Sequence, residues 1–409
     1  SPRIQWLRDY YFKGTDRAWN NEFTSWSTGT PWDVQYAETN FYIVPETYTL
    51  LQPLRTSYRM AARKVDLHSD FWNWSIVERR AWFNHEVMTR YVPKEILPGD
   101  LIAGARFNIQ SSLCLDRHEQ KEFDRLVLGK DGARRAVKRF HDHGYGNAGA
   151  TAGHLIPDYP SVLDRGWKSI HDGLVLEYDS LSASEKKSEA GAQLRAMITS
   201  STTARDLAAE YARVARESAG RETDATRRAE LETMAKILDR VPWNTPENFH
   251  EALQSLWLTH MLVMSDENYP GPGTSFGRID QYLYRYWKTS IDAGMDREYG
   301  KELLKCFWVH ANTASDAMIR NGYQGITAGF GQLLTLSGIG PDGQDTTNDL
   351  TYALLEVIDD MSPILEPKPN VRLHRGSPEK LLDTVTEMIA SIQGAPFLIN
   401  FDERSMAGM

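Results

Sequence analysis

Ala395-Pro396-Phe397-Leu398-Ile399-Asn400-Phe401-Asp402-Glu403-Arg404-Ser405-Met406-Ala407 changes character at Asp402. The part up to Phe401 is an apolar run after a proline, which reads as a buried strand. From Asp402 on it reads as the first turn of a helix, because two leading acids suit the positive end of a helix dipole. The same alternation recurs upstream. The β-like runs Ile326–Phe330 and Val371–His374 lie between helical patterns near 277–293, 299–318, 346–361 and 377–393. Strands alternating with helices imply an α/β fold.

Further upstream the helical share grows. Residues 51–66 and 76–92 have helical spacing, while Phe41-Tyr42-Ile43-Val44 before Pro45 reads as a short buried strand. From about 160 to 240 the pattern is long and helical, with the solvated charge run Glu185-Lys186-Lys187-Ser188-Glu189. A further helix is expected with Thr245 as cap, Pro246 in the first turn and Glu247 on the dipole. Leu253, Leu256, Trp257, His260 and Met264 then follow at three- and four-residue spacing.

Composition narrows the function. The 409 residues carry 46 Lys and Arg against 55 Asp and Glu, a net charge of −9 that argues against a nucleic-acid partner. Hydrophobic residues at 41% and charged residues at 25% are those of a folded globular protein rather than a disordered one. No apolar run reaches the ~18–20 residues that span a bilayer. Two cysteines far apart, Cys114 and Cys306, make neither a disulfide framework nor a cysteine-rich metal site. A reducing, cytoplasmic compartment is the expectation.

The individual motifs are mostly structural. Gly144-Tyr145-Gly146-Asn147-Ala148-Gly149 spells the dinucleotide fingerprint, but a basic helical stretch, Ala133–His143, precedes it where a strand is required. It reads as a tight glycine turn with Tyr145 as one wall of a cavity. His141, His143 and His154 lack acidic or thiol partners at metal-site spacing. The Asp342–Asn348 run lacks the ligands of a calcium loop and reads as a turn into a Thr346/Asp349 capping box. Cys306 sits on an apolar helical face and reads as core, and Cys114 is read the same way. The polar, glycine-rich stretch from Met264 to Tyr282 reads as a cavity mouth, or a buried turn whose carboxylates pair with Arg278. Gln324–Gln332 reads as a small-residue strand that another group can approach closely.

Taken in order, several segments resemble the glycyl radical enzymes of the pyruvate formate-lyase type. They are Ile96–Gly104, Trp243 through Trp257, Gly277-Arg278-Ile279-Asp280-Gln281-Tyr282-Leu283, Gly338–Tyr352 and Pro369–His374. The resemblance implies a ten-stranded α/β barrel of two antiparallel half-barrels inside a helical shell. Residues 1–409 would supply the shell, over about 1–240, and the first half-barrel, over about 241–409. The segments Phe23–Pro31, His143–Gly149, Met264–Gly273 and Asn400–Met406 look most like the arylacetate decarboxylases, those of 4-hydroxyphenylacetate in particular. By that resemblance Tyr145, Ser275 and Leu336 would line the substrate pocket, and the aryl substituent stays open among 4-hydroxyphenylacetate, phenylacetate and indoleacetate.

The same resemblance implies a radical decarboxylation giving a methylarene and CO2. A glycyl radical, installed by a radical SAM activating enzyme, would pass to a cysteine thiyl. Residues 1–409 hold neither the family's Cys-Leu-Glu motif nor its glycyl loop. Both are expected after Met409, where the chain stops in mid-element, and this chain alone is expected to bind no cofactor and to be inactive. The expected partners are a small aromatic acid, the activating enzyme and further copies of the chain. A small iron–sulfur subunit is left open. Two other readings are a radical enzyme of another type, such as an arylalkyl-succinate synthase or a dehydratase, and a non-catalytic scaffold subunit.

Overall fold

The computed structural model describes residues 1–8, 42–43, 63–92, 94, 96–104, 114–129, 132–144, 155–266, 274–319, 332–362, 367–391 and 398–407. After a helix over residues 2–8 come two short strands paired in parallel, β1 (Tyr42–Ile43) and β2 (Arg63–Lys64). A helical region follows: α1 (Ile76–Glu86), α2 (Arg117–Phe123), α3 (Ala133–Asp142), α4 (Tyr159–Ser180), α5 (Glu189–Arg221), α6 (Ala225–Arg240) and α7 (Phe249–Asp266). Then helices and strands alternate: α8 (Ile279–Tyr282), α9 (Tyr284–Asp292), α10 (Arg297–Ile319), β3 (Leu333–Ser337), α11 (Asp349–Met361), β4 (Lys368–Leu373), α12 (Glu379–Ser391), β5 (Leu398–Phe401) and α13 (Asp402–Ala407).

Small side chains set the helical part. The 33 residues of α5 span about 50 Å. Its Ala204, Ala208, Ala212 and Ala215 are buried and let α6 approach closely with Leu231, Met234, Ala235 and Leu238. Ser188 starts α5 by accepting a hydrogen bond from the Gly191 amide. Ser75 and Glu78 close a reciprocal capping box on α1. Inside α4, Gly166 takes φ +70°, and a Cβ there would stand 2.6 Å from the Trp243 carbonyl. The amides that this kink frees are taken by the neighbouring loop: Trp167 donates to Pro242 O (3.0 Å) and Lys168 to Trp243 O (2.8 Å).

β3, β4 and β5 form a parallel sheet in that order. Two more extended segments prolong it. Thr335 donates to Gly277 O and Phe276 to Leu333 O, both at 2.7 Å, and Ser275 donates to Leu155 O at 2.9 Å. Five segments thus run parallel, in the order Leu155, Thr274–Gly277, β3, β4, β5. This is the strand set of a partial α/β barrel, with its first segment drawn from within the part expected to be shell. One contiguous apolar core joins the sheet to the helices, with Trp257, Trp287, Trp308, Phe276 and Phe307 fully enclosed.

Several sequence expectations change. Of the helix expected over 51–66, residues 63–64 are β2 and 65–66 are not helical; the rest lies outside the described residues. α7 starts at Phe249, not after Thr245. Asn248 accepts from the Glu251 amide (3.0 Å), while the Glu251 carboxylate takes the Glu247 amide (2.7 Å) and the Asn248 side chain (2.9 Å). That reciprocal box outcompetes the lone threonine. α11 is likewise capped by Asn348 with Thr351, because the Thr346 hydroxyl is already held by Gly338 O and Arg278. β5 is not a buried strand. It is the sheet's edge among the described residues, with Leu398 46% and Phe401 54% exposed and only Ile399 against the core. Ile326–Phe330 lies outside the described residues.

Candidate functional site

Alternation gives the sheet two unlike faces. On the helix side lie Phe276, Leu334, Leu336 and Val371, none of them solvent-accessible, with Leu373 beside them. On the other side lie Leu333, Thr335, Lys368, Asn370 and Arg372, half-exposed, and Leu398 and Asn400, exposed. Parallel sheets are normally covered on both faces and read as continuous apolar runs. A polar face on parallel strands is therefore the feature that asks for a function.

That face is ordered across strands. Thr335 stands opposite Asn370, and Arg372 opposite Asn400. The Asn400 amide donates to Asn370 Oδ1 at 2.5 Å. No acidic side chain occupies this face of β3, β4 or β5.

The carboxyl ends of the strands are locked by charges. Arg372 Nε donates to Asp402 Oδ1 at 2.7 Å, and Asp402 Oδ2 accepts the Ile339 amide at 2.7 Å. Asp402 is 1% exposed, so its acidic start to α13 serves a buried ion pair as well as the helix dipole. Gly338 has φ +93°, and a Cβ there would stand 2.8 Å from the Arg372 side chain. Ser337, at φ 57°, is held by the Asp280 carboxylate, which accepts its amide and the Thr351 hydroxyl, both at 2.7 Å. Burial raises the Asp280 carboxyl above its usual range. Arg278 donates to Ser337 O (3.0 Å) and Thr346 Oγ1 (2.6 Å), not to the carboxylates expected for it. Asp266 instead pairs with Arg80. Burial, then the neighbouring Arg372, holds the Arg278 guanidinium below its ordinary pKa.

Behind the sheet lies a buried polar chain that sequence reading missed. Gln332 Nε2 donates to Ala311 O at 2.6 Å, so its Oε1 accepts from His260 Nε2 at 2.7 Å. His260 Nδ1 is left to accept the Tyr159 hydroxyl at 2.5 Å. The imidazole stacks on Phe276 with ring centres 4.1 Å apart. Burial pushes its pKa down to about 3, so the ring is neutral. The only trace in the sequence was a histidine on an otherwise apolar helix face.

Of the three expected pocket residues, two lie among the described residues. Tyr145 lies outside the described residues. Ser275 is 8% exposed; its neighbour Phe276 faces the helices, so Ser275 faces the polar side. Leu336 is enclosed on the helix side, opposite to Ser275. Cys306 is a core residue, as expected, with burial raising its thiol pKa. Cys114 is also buried, at φ 52°, with its carbonyl held by Arg79. Among the described residues no three His, Cys, Asp or Glu side chains are grouped to hold a metal ion. No described helix is long and apolar enough to cross a membrane.

The model of the pyruvate formate lyase-like family matches residues 128–407. The chain belongs to this family, that of the glycyl radical enzymes. Isethionate sulfite-lyase of Nitratidesulfovibrio vulgaris is 34% identical over 254 residues, 61% of this chain and 30% of that one. (2S)-3-sulfopropanediol dehydratase of Klebsiella oxytoca is 32% identical over 289 residues, 68% of this chain and 33% of that one. Indoleacetate decarboxylase of Tractidigestivibacter scatoligenes is 29% identical over 184 residues, 44% of this chain and 20% of that one. Two solved structures share the fold. A glycyl radical enzyme from Archaeoglobus fulgidus has a TM-score of 0.66 at 24% identity, covering 90% of this chain and 51% of that one. A structure of 1,2-propanediol dehydration in Roseburia inulinivorans has a TM-score of 0.71 at 23% identity, covering 98% and 48%. The matched stretches thus span between a fifth and a third of these curated relatives and about half of these structures. The expectation of a partial barrel of this family is borne out.

Proposed function

We propose that this chain supplies the shell and first half-barrel of a glycyl radical lyase acting on a small acidic substrate, with an arylacetate as the leading candidate. The product would be the methylarene and CO2. The observation that carries the lyase reading is the family match together with relatives that are lyases and dehydratases. The polar sheet face supports a small-molecule site. The arylacetate choice rests on the resemblance of Met264–Gly273 and Asn400–Met406 and on the match to an indoleacetate decarboxylase. Ser275 on the polar face and Tyr145 would contact the substrate. Leu336 would act by shaping the sheet from behind.

The radical itself would reside on residues outside 1–409 and be installed by a radical SAM activating enzyme. This chain's own residues would bind and orient the substrate and keep water from it. Shielding matters because a carbon radical must not meet solvent or oxygen. Homo-oligomers belong to the same proposal, which leaves open a small iron–sulfur subunit.

A second reading has its own support. The relatives matched over the longer stretches break C–S or C–O bonds, as their names state. The test is anaerobic turnover of the intact polypeptide with its activating enzyme. Methylarene and CO2 from 4-hydroxyphenylacetate, phenylacetate or indoleacetate support the first reading. Sulfite from isethionate, or dehydration of a sulfonated diol, with no methylarene would replace it by the second.

A further inference from the structure

We infer that His260 is a positioning residue, which sets the Thr274–Gly277 segment and through it the place of Ser275 at the site. The inference rests on the small-molecule reading above and adds to it the means by which one side of that site is held.

Three observations carry it. First, the Tyr159–His260–Gln332 chain is enclosed, with none of the three more than 3% exposed, and closed at its far end on Ala311 O. Apolar side chains would fill the same space without the cost of enclosing polar groups. What a satisfied polar network adds is orientation, because its hydrogen bonds hold in one geometry only. The chain ties α4, α7, the residue before β3 and α10 to one setting of the imidazole. Second, that ring lies nearly flat on Phe276, and Phe276 is gripped on its other handles too. Phe307 meets it edge-on at 4.9 Å, its amide donates to Leu333 O at 2.7 Å, and its carbonyl accepts the Tyr282 hydroxyl at 2.8 Å. Third, α7 is itself a fixed support. Gln254 exchanges two hydrogen bonds with the Ala103 backbone, at 2.8 and 2.9 Å, and Trp257, one turn before His260, donates to Gly104 O at 3.0 Å. Ser275 precedes Phe276 on the strand and points to the opposite face, so a roll of Phe276 tips Ser275 with it. A misplacement of about 1 Å can cost on the order of a hundredfold in rate, which is the leverage such a support has.

The test is anaerobic turnover of the intact, activated polypeptide, well below its unfolding temperature, on 4-hydroxyphenylacetate, phenylacetate, indoleacetate and isethionate. His260→Leu and Ser275→Ala should each lower kcat/KM about tenfold, and the double variant should lose little more than either, because the first acts through the second. His260→Gln keeps a partner for both Tyr159 and Gln332 and should stay within about threefold of wild type. Tyr159→Phe removes one hydroxyl only and should lower kcat/KM about threefold, which carries the test if His260→Leu does not fold. Val371→Ala opens the same core away from the chain and should change kcat/KM less than about twofold. Losses that multiply to about a hundredfold in the double variant, or a Val371→Ala loss equal to that of His260→Leu, would overturn the positioning role and leave the site reading intact. Ser275→Ala without effect would overturn both. Turnover of isethionate alone, with the same coupling, keeps the positioning role and removes the arylacetate. A crystal structure of the His260→Leu protein reads the position without any substrate: Ser275 Oγ should move by about 0.5 Å or more relative to β4, and an unmoved Ser275 would overturn the inference.

Discussion

The two faces of the sheet are made from alternate residues of the same strands, yet they obey different rules. On the helix side Leu334, Leu336, Val371 and Phe276 have no exposed surface and merge with the aromatic core. On the other side Thr335, Asn370 and Asn400 keep contact with solvent. The helix side therefore carries stability, and the open side is free to carry chemistry. A substitution on one face should read out differently from its neighbour one residue away.

The largest effect is expected from Leu336→Ala. It leaves a cavity on the closed side and should lower unfolding free energy by about 3–4 kcal/mol in urea denaturation. If Leu336 instead touches substrate, binding would fall while stability held. Acidification comes next. His260 is neutral when folded, with a pKa of about 3 against an ordinary 6.5. A depressed pKa means the stabilisation is complete above 6.5 and is lost as pH falls towards 3. Between pH 7 and 4.5 His260 should remove about 3 kcal/mol. The drop in unfolding free energy over that range, from urea denaturation, should shrink by this amount in His260→Gln; an equal drop in both proteins would disprove the role.

Arg372→Met sharpens the contrast at the strand ends. It leaves Asp402, 1% exposed, without its cation, and should cost about 2–3 kcal/mol of thermal stability. The smallest effect is reserved for the open face. Thr335→Val should change stability by less than about 0.5 kcal/mol. A loss as large as that of Leu336→Ala would mean that both faces are core.

Much of this architecture was legible in local pattern. The strand about Val371, the helices from 76 to 92 and from 160 to 240, the core position of Cys306 and the helix start at Asp402 all follow from periodicity or end signals. What escaped depends on partners distant in the chain. Leu333–Ser337, Leu-Leu-Thr-Leu-Ser, is a short run that only its pairing with Lys368–Arg372 defines as a strand. The caps moved from Thr245 to Asn248 and from Thr346 to Asn348 because side chains elsewhere decided which oxygen was available. Tyr159, His260 and Gln332 come from three separate segments, so no local window could join them. The polar face needed the register between β3, β4 and β5 before its residues became neighbours.

The parallel order of the five extended segments also governs how the chain can assemble. α5 and α6 are consecutive and pack on each other, so they can form from nearby sequence. The sheet cannot, because each segment waits for a helix or more of intervening chain before its neighbour exists. During synthesis the apolar side of β3 therefore emerges well before β4 and β5 can flank it. A newly made chain must keep Leu334 and Leu336 from strangers during that interval, and α8, which precedes β3 in the chain and packs on it, is cover already made when β3 emerges.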